Sequence, residues 1–227
     1  MLRPALLLLC LVFTTSSYAL DLSSVSNKDA TGGLKDALVQ AVGSAVGKLG
    51  VPDGFLGNPQ VKIPLPDSLK KVEKGMKMFG MGKQTDELVT RMNRAAEAAV
   101  PEAKDLLVDS VKKMSVDDAK AILTGGDDSA TQYFKKTTSA ALTAKLLPIV
   151  QDATAKVQLA QQYNKYAEMG SKFGVVDKSQ ANLEQYVTQK TLDGLFTMMA
   201  QEEKAIRQNP LAASTNLIKK VFGALGN

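Results

Sequence analysis

The 227-residue chain has no histidine and no tryptophan, and its single cysteine is Cys10. Without histidine there is no Ser-His-Asp triad, and zinc and iron lose their commonest nitrogen ligand. Cys10 lies inside an apolar N-terminal run that reads as a cleaved export signal. The mature chain is therefore expected to hold no thiolate nucleophile and no structural disulfide. A packed core must then stabilise the fold, which a chain of this length can manage. Neither a phosphate-cradling G-x-x-x-x-G-K-[ST] loop nor a G-x-G-x-x-G turn after a strand occurs. Beyond the N-terminus no segment approaches the roughly 20 apolar residues that span a bilayer. No catalytic residue, metal or cofactor is predicted from what remains.

Residues 1–19 have the layout of a secretory signal. Arg3 supplies the positive charge, Ala5 to Phe13 the apolar run, and Ser17 and Ala19 the small residues that a signal peptidase reads. Cleavage is expected after Ala19. A lipoprotein reading is weaker, because Leu9 precedes Cys10 where a small residue belongs. Residues 20–33, with their Ser, Asp and Gly, read as a flexible leader, and residues 34–227 as one helical domain.

The formal charge is +5, and Arg3 leaves with the signal. Such a small, dispersed excess argues against nucleic acid. The Lys-Lys pairs (Lys70-Lys71, Lys112-Lys113, Lys135-Lys136, Lys219-Lys220) sit in amphipathic patterns and read as solvated helix faces. A weak attraction to anionic lipid or cell-wall polymer is the alternative.

The apolar period is helical nearly throughout, with spacings of three and four that put each set on one face. The stripes are Leu34-Leu38-Ala41-Val42-Ala45-Leu49, then Leu88-Met92-Ala95-Ala96-Ala99, then Ala103-Leu106-Leu107-Ser110-Val111-Met114. A fourth runs through Ala130, Tyr133, Phe134, Thr137, Ala141, Ala144 and Leu147, and a fifth from Leu183 and Val187 to Leu192, Leu195, Phe196 and Met199. Ser115 to Asp118 has capping-box form. Gly125-Gly126 ends one helix, and Asp127 or Asp128 is expected to cap the next. Pro101 and Pro148 should each kink a helix or start a new one. Val51 to Pro66 breaks the pattern and reads as an extended, Pro-rich strap, with Val61, Ile63 and Leu65 on its apolar side. The fold class is thus an all-α helical bundle with one strap.

Two stretches are candidate ligand sites. Met76, Met78, Phe79 and Met81, between glycines, can form a soft apolar flap. Asn93, Arg94 and Glu97 are the densest polar set beside an apolar stripe, and either join a structural network or orient a ligand head group. Paired carboxylates (Asp117-Asp118, Asp127-Asp128, Glu202-Glu203) can in principle serve a hydrolase. The Asp pairs read instead as helix caps, and Glu203 with Arg207 as a surface i,i+4 pair. Calcium is the most plausible metal in chemistry of this kind, but no EF-hand spacing is present.

Several stretches resemble one family: NPQVKIPLP (58–66), MNRAAE (92–97), MSVDDAKAILTGGDDSATQYFKKTT (114–138), LDGLFTMMAQEEKAIRQNP (192–210) and LIKKVFG (217–223). Together, in order, they are similar to the bacterial exported family called Domain of Unknown Function 4197. The resemblance implies an all-helical protein of the Gram-negative periplasm and implies no activity. The expectation is a non-enzymatic binding or interaction protein of the cell envelope, with an apolar or lipid-like ligand or an envelope protein as partner. The alternative is a carboxylate-dependent hydrolase acting on an envelope polymer. A third reading is a scaffold docking through the basic segment Leu217 to Phe222.

Overall fold

The structure, a computed structural model, describes residues 25–70, 82–155, 160–161, 163–164, 168 and 182–224. Among these it is all-α, with seven α-helices and no strand. No described helix is long and apolar enough to cross a membrane.

The first helix, α1 (Asn27–Leu49), starts where the Ser26 hydroxyl accepts from Asp29 N–H. Residues 27–33, expected in the leader, are its first two turns. The Gly32-Gly33 pair that suggested flexibility serves close approach instead. A Cβ on Gly33 would lie 2.6 Å from Val221 Cγ2 and 2.9 Å from the Leu217 carbonyl. The buried stripe of α1 includes all six residues that the period predicts.

After α1 the chain turns through Gly50 to Gly57. Asp53 has φ +67°, and Gly54 packs so tightly on the end of α1 that a Cβ would meet Leu49 O at 2.4 Å. Residues 62–66 form neither helix nor strand and lead into a helical turn at 67–70. Val61, Ile63 and Leu65 are buried, while Lys62 and Pro64 are exposed.

Helix α2 (Gly82–Ala99) ends at a 3-10 turn, Val100–Glu102, with Pro101 at the start of that turn. The break is local, and α3 (Ala103–Lys113) follows directly. In α4 (Val116–Leu123), Ser115 and Asp118 form the reciprocal capping box that the spacing predicts.

Helix α5 (Ser129–Thr154) departs from expectation in its buried face and in its cap, and it runs through Pro148 without starting anew. Leu146 and Val150, on either side of the proline, are both fully buried, so packing outweighs the one lost backbone bond. Its core stripe is Ala130, Phe134, Thr138, Leu142, Leu146, Val150 and Thr154, whereas Thr137, Ala141 and Ala144 are exposed. Alanine and threonine carry little polarity information, and they misplaced the face. Its N-cap residue, Asp128, makes no side-chain capping bond. The cap comes from Glu203.

Helix α6 (Leu183–Gln208) starts under Asn182, whose side chain accepts from Gln185 N–H. After a 3-10 turn at Pro210–Ala212, α7 (Asn216–Gly223) closes the chain onto α1. The α5–α6 pair makes the most extensive helix contact. Helix α2 packs on both, and α1 packs on α6, α7, α3 and α4.

Candidate functional site

The polar set on α2 is brought together as its spacing predicts, and it is used on the chain itself. Asn93 is fully buried. Its Oδ1 accepts from Ile63 N–H at 2.8 Å, and its Nδ2 donates to Ile63 O at 2.9 Å and to Val89 O at 2.8 Å. One amide thus satisfies both backbone groups of a residue that has no helix or strand to do so. One turn on, the buried Glu97 Oε1 accepts from Phe55 N–H at 3.1 Å and Leu56 N–H at 3.0 Å. Arg94 donates from Nη1 to Glu97 Oε2 at 2.6 Å and from Nη2 to Asp53 Oδ1 at 2.9 Å. These carboxylates, Glu97 foremost, hold the Arg94 guanidinium above its ordinary pKa. The three side chains pin the segment from Asp53 to Ile63 onto α2.

That pinning builds a wall. Between it and the first half of α2 lies an open cleft of about 480 Å³. Leu56, Pro64, Leu65 and Val89 give its apolar part, and Lys62, Lys70, Asp86 and Thr90 its polar part. Asp86, Val89, Thr90, Asn93 and Glu97 follow the i, i+3, i+4, i+7 spacing of one helix face. The cleft and the pinning residues are therefore successive turns of the same surface. From the other side, Tyr186 on α6 donates its hydroxyl to Pro64 O at 3.1 Å. Burial, with smaller contributions from Asp67, Tyr163 and Asp193, pushes that phenol up to about 12. It remains a donor across the ordinary pH range. Sequence reasoning missed the cleft residues. The mixed polarity of Asp86, Val89 and Thr90 on the face of Asn93 was the available signal.

The other sequence candidates fare differently. Met76, Met78, Phe79 and Met81 lie outside the described residues. The Glu203–Arg207 pair, expected at the surface, is buried, with side chains 4% and 9% exposed. Glu203 accepts from Ala130 N–H, Thr131 N–H and the Thr131 hydroxyl, each at 3.0 Å, and from Arg207. It is the missing cap of α5, supplied from α6. Local spacing found the Arg partner but not the helix end 73 residues away.

A second groove of about 430 Å³ runs between α5 and α6. Its lining is mostly hydrophilic, with Phe196 and Ala200 as its main apolar members. No group of three or more acidic, His or Cys side chains able to hold a metal occurs among the described residues. The pKa values of Asp29, Asp109 and Asp118 are lowered, chiefly by hydrogen bonds from Lys220, Lys112 and Ser115 respectively. A glycosidase-type proton donor needs the opposite shift. In the segment Leu217 to Phe222, Ile218, Val221 and Phe222 are buried against the core, and Arg207 stands over the Phe222 ring at 5.8 Å.

No curated protein and no solved structure matches the chain. The family model described as "Protein of unknown function (DUF4197)" matches residues 24–223, so the chain belongs to that family.

Proposed function

We propose that this member of the DUF4197 family is an exported, non-enzymatic binding protein of the cell envelope in the periplasm, and that the cleft beside α2 receives an apolar or lipid-like ligand. The observation that carries the reading is a solvent-open cleft with an apolar floor, polar rim and fixed wall. A preformed concavity with a few placed polar groups is the usual form of a small-ligand site. Asn93, Arg94 and Glu97 serve that site by positioning its wall, since their polar atoms already face the chain's own backbone and side chains. The signal layout of residues 1–19 supports export. The hydrolase alternative gains nothing from the buried Glu97 and Glu203, because their oxygens are already occupied by donors.

The test is native mass spectrometry of protein taken from the periplasm, with organic extraction of whatever co-purifies. A reproducible small amphiphile is expected. Thr90→Trp, on the exposed rim, should remove it without changing the melting temperature. Bare wild-type protein, or a ligand that survives Thr90→Trp, would sink the reading. N-terminal sequencing of the same sample should begin at Leu20 if export proceeds by cleavage after Ala19.

A further inference from the structure

This inference rests on the cleft reading above and concerns the class of ligand. Exposed charges near the cleft are mostly paired: Lys70 with Asp67, Arg91 with Glu87, Arg94 with Asp53. Lys62 and Asp86 differ. Both line the cleft and both are exposed, yet neither side chain has a hydrogen-bond or ion-pair partner among the described residues. One contributes a cation from the wall and the other an anion from α2. A purely anionic ligand would be drawn to Lys62 and repelled by Asp86, and a purely cationic one the reverse. An occupant bearing both charges satisfies both walls. The floor of Leu56, Pro64, Leu65 and Val89 adds a requirement for hydrocarbon next to the head group. Among the described residues no aromatic ring lines the cleft, so none of them offers a quaternary ammonium the cage it favours. A primary ammonium, with N–H donors for a carboxylate, suits Asp86 better.

We infer that the cleft takes a zwitterionic phospholipid with a phosphoethanolamine head, its phosphate on Lys62 Nζ, its ammonium on the Asp86 carboxylate, and its first methylenes over the floor. The experiment titrates the full chain with phosphatidylcholine vesicles doped with phosphatidylethanolamine or with phosphatidylglycerol. Wild type, Lys62→Glu, Asp86→Lys and the exchanged pair K62E/D86K are compared. Binding should depend on phosphatidylethanolamine, and each single reversal should weaken it about fivefold, the upper end of the scale for one exposed ion pair. The exchanged pair should recover part of the loss, because a zwitterion can lie in the opposite sense.

Equal binding to phosphatidylglycerol, tightened by Asp86→Lys, would overturn the zwitterionic assignment and leave the cleft reading standing. Complete displacement by soluble phosphoethanolamine at the lipid's own affinity would show a silent floor and overturn the lipid assignment. If no vesicle binds while Thr90→Trp still strips a co-purified ligand, the head group is wrong and the site is right. If Thr90→Trp strips nothing either, both fail.

Discussion

Asn93 and Glu203 show how a single side chain can replace secondary structure. Asn93 answers both backbone groups of Ile63, and Glu203 answers two amides at the start of α5. Removing either leaves buried polar groups alone, which costs more than the lost bonds. Asn93→Ala should destabilise the fold by about 3 kcal/mol, read as a lower urea midpoint at unchanged slope. Asn93→Asp keeps the acceptor for Ile63 N–H but turns a buried carboxylate oxygen toward the carbonyls of Ile63 and Val89, so it should destabilise at least as much as Asn93→Ala. Glu203→Gln should cost about 2–4 kcal/mol, because one amide end would face N–H donors and Arg207 would keep a buried, less balanced charge. An effect under about 0.5 kcal/mol, the scale of an ordinary surface substitution, would return Glu203 to the surface pair that its spacing suggested.

At the scale of elements, glycine makes the sharpest contrast. Gly43 and Gly47 on α1 have open space where a Cβ would go, while Gly33 does not. Alanine at 43 or 47 should stabilise by about 0.5–1 kcal/mol each, the helix propensity difference. The same change at 33 should destabilise by forcing α7 off α1. Thermal melts of the three variants would read the sign directly. This difference also explains what the sequence could convey. Stripes anchored by Leu, Val and Met placed the buried faces of α1, α2 and α6 correctly, because large apolar residues have one favourable side. In α5 Phe134 was placed correctly, but Thr137, Ala141 and Ala144 are exposed, so that part of the face was misassigned. The Gly32-Gly33 pair looks the same in a sequence whether it serves flexibility or contact. Likewise, MNRAAE announced a polar cluster, but only the fold shows it meeting Ile63 and Phe55. The cleft follows from that meeting and was not legible before it.

For the molecule as a whole, displaced pKa values set where stability changes with pH. Asp29 and Asp118 are lowered in the fold. Their contribution is present above the ordinary aspartate pKa and is lost as pH falls through the lower folded values. Asp118→Asn should therefore flatten the acid limb of a stability profile. Tyr186 runs the other way. Its phenol is raised from 10.0 to about 12, so its contribution is full below 10 and declines as pH rises toward 12. Tyr186→Phe should flatten the alkaline limb, though burial also raises Tyr133 and Tyr163 and leaves some slope. A variant whose alkaline limb matches wild type would remove Tyr186 from this role.

The contact between the two ends of the fold has a consequence in time. Lys220 on α7 reaches Asp29 at the start of α1, 191 positions earlier. Synthesis runs from the N-terminus, so the Gly32-Gly33 side of α1 is made first and covered last. Closing so long a loop is slow compared with joining neighbours. Until α7 emerges, that side of the first helix stays open to solvent and to other chains. The nascent protein is thus most vulnerable to aggregation at the element it completes earliest, and a chain stalled before residue 216 would stay in that state.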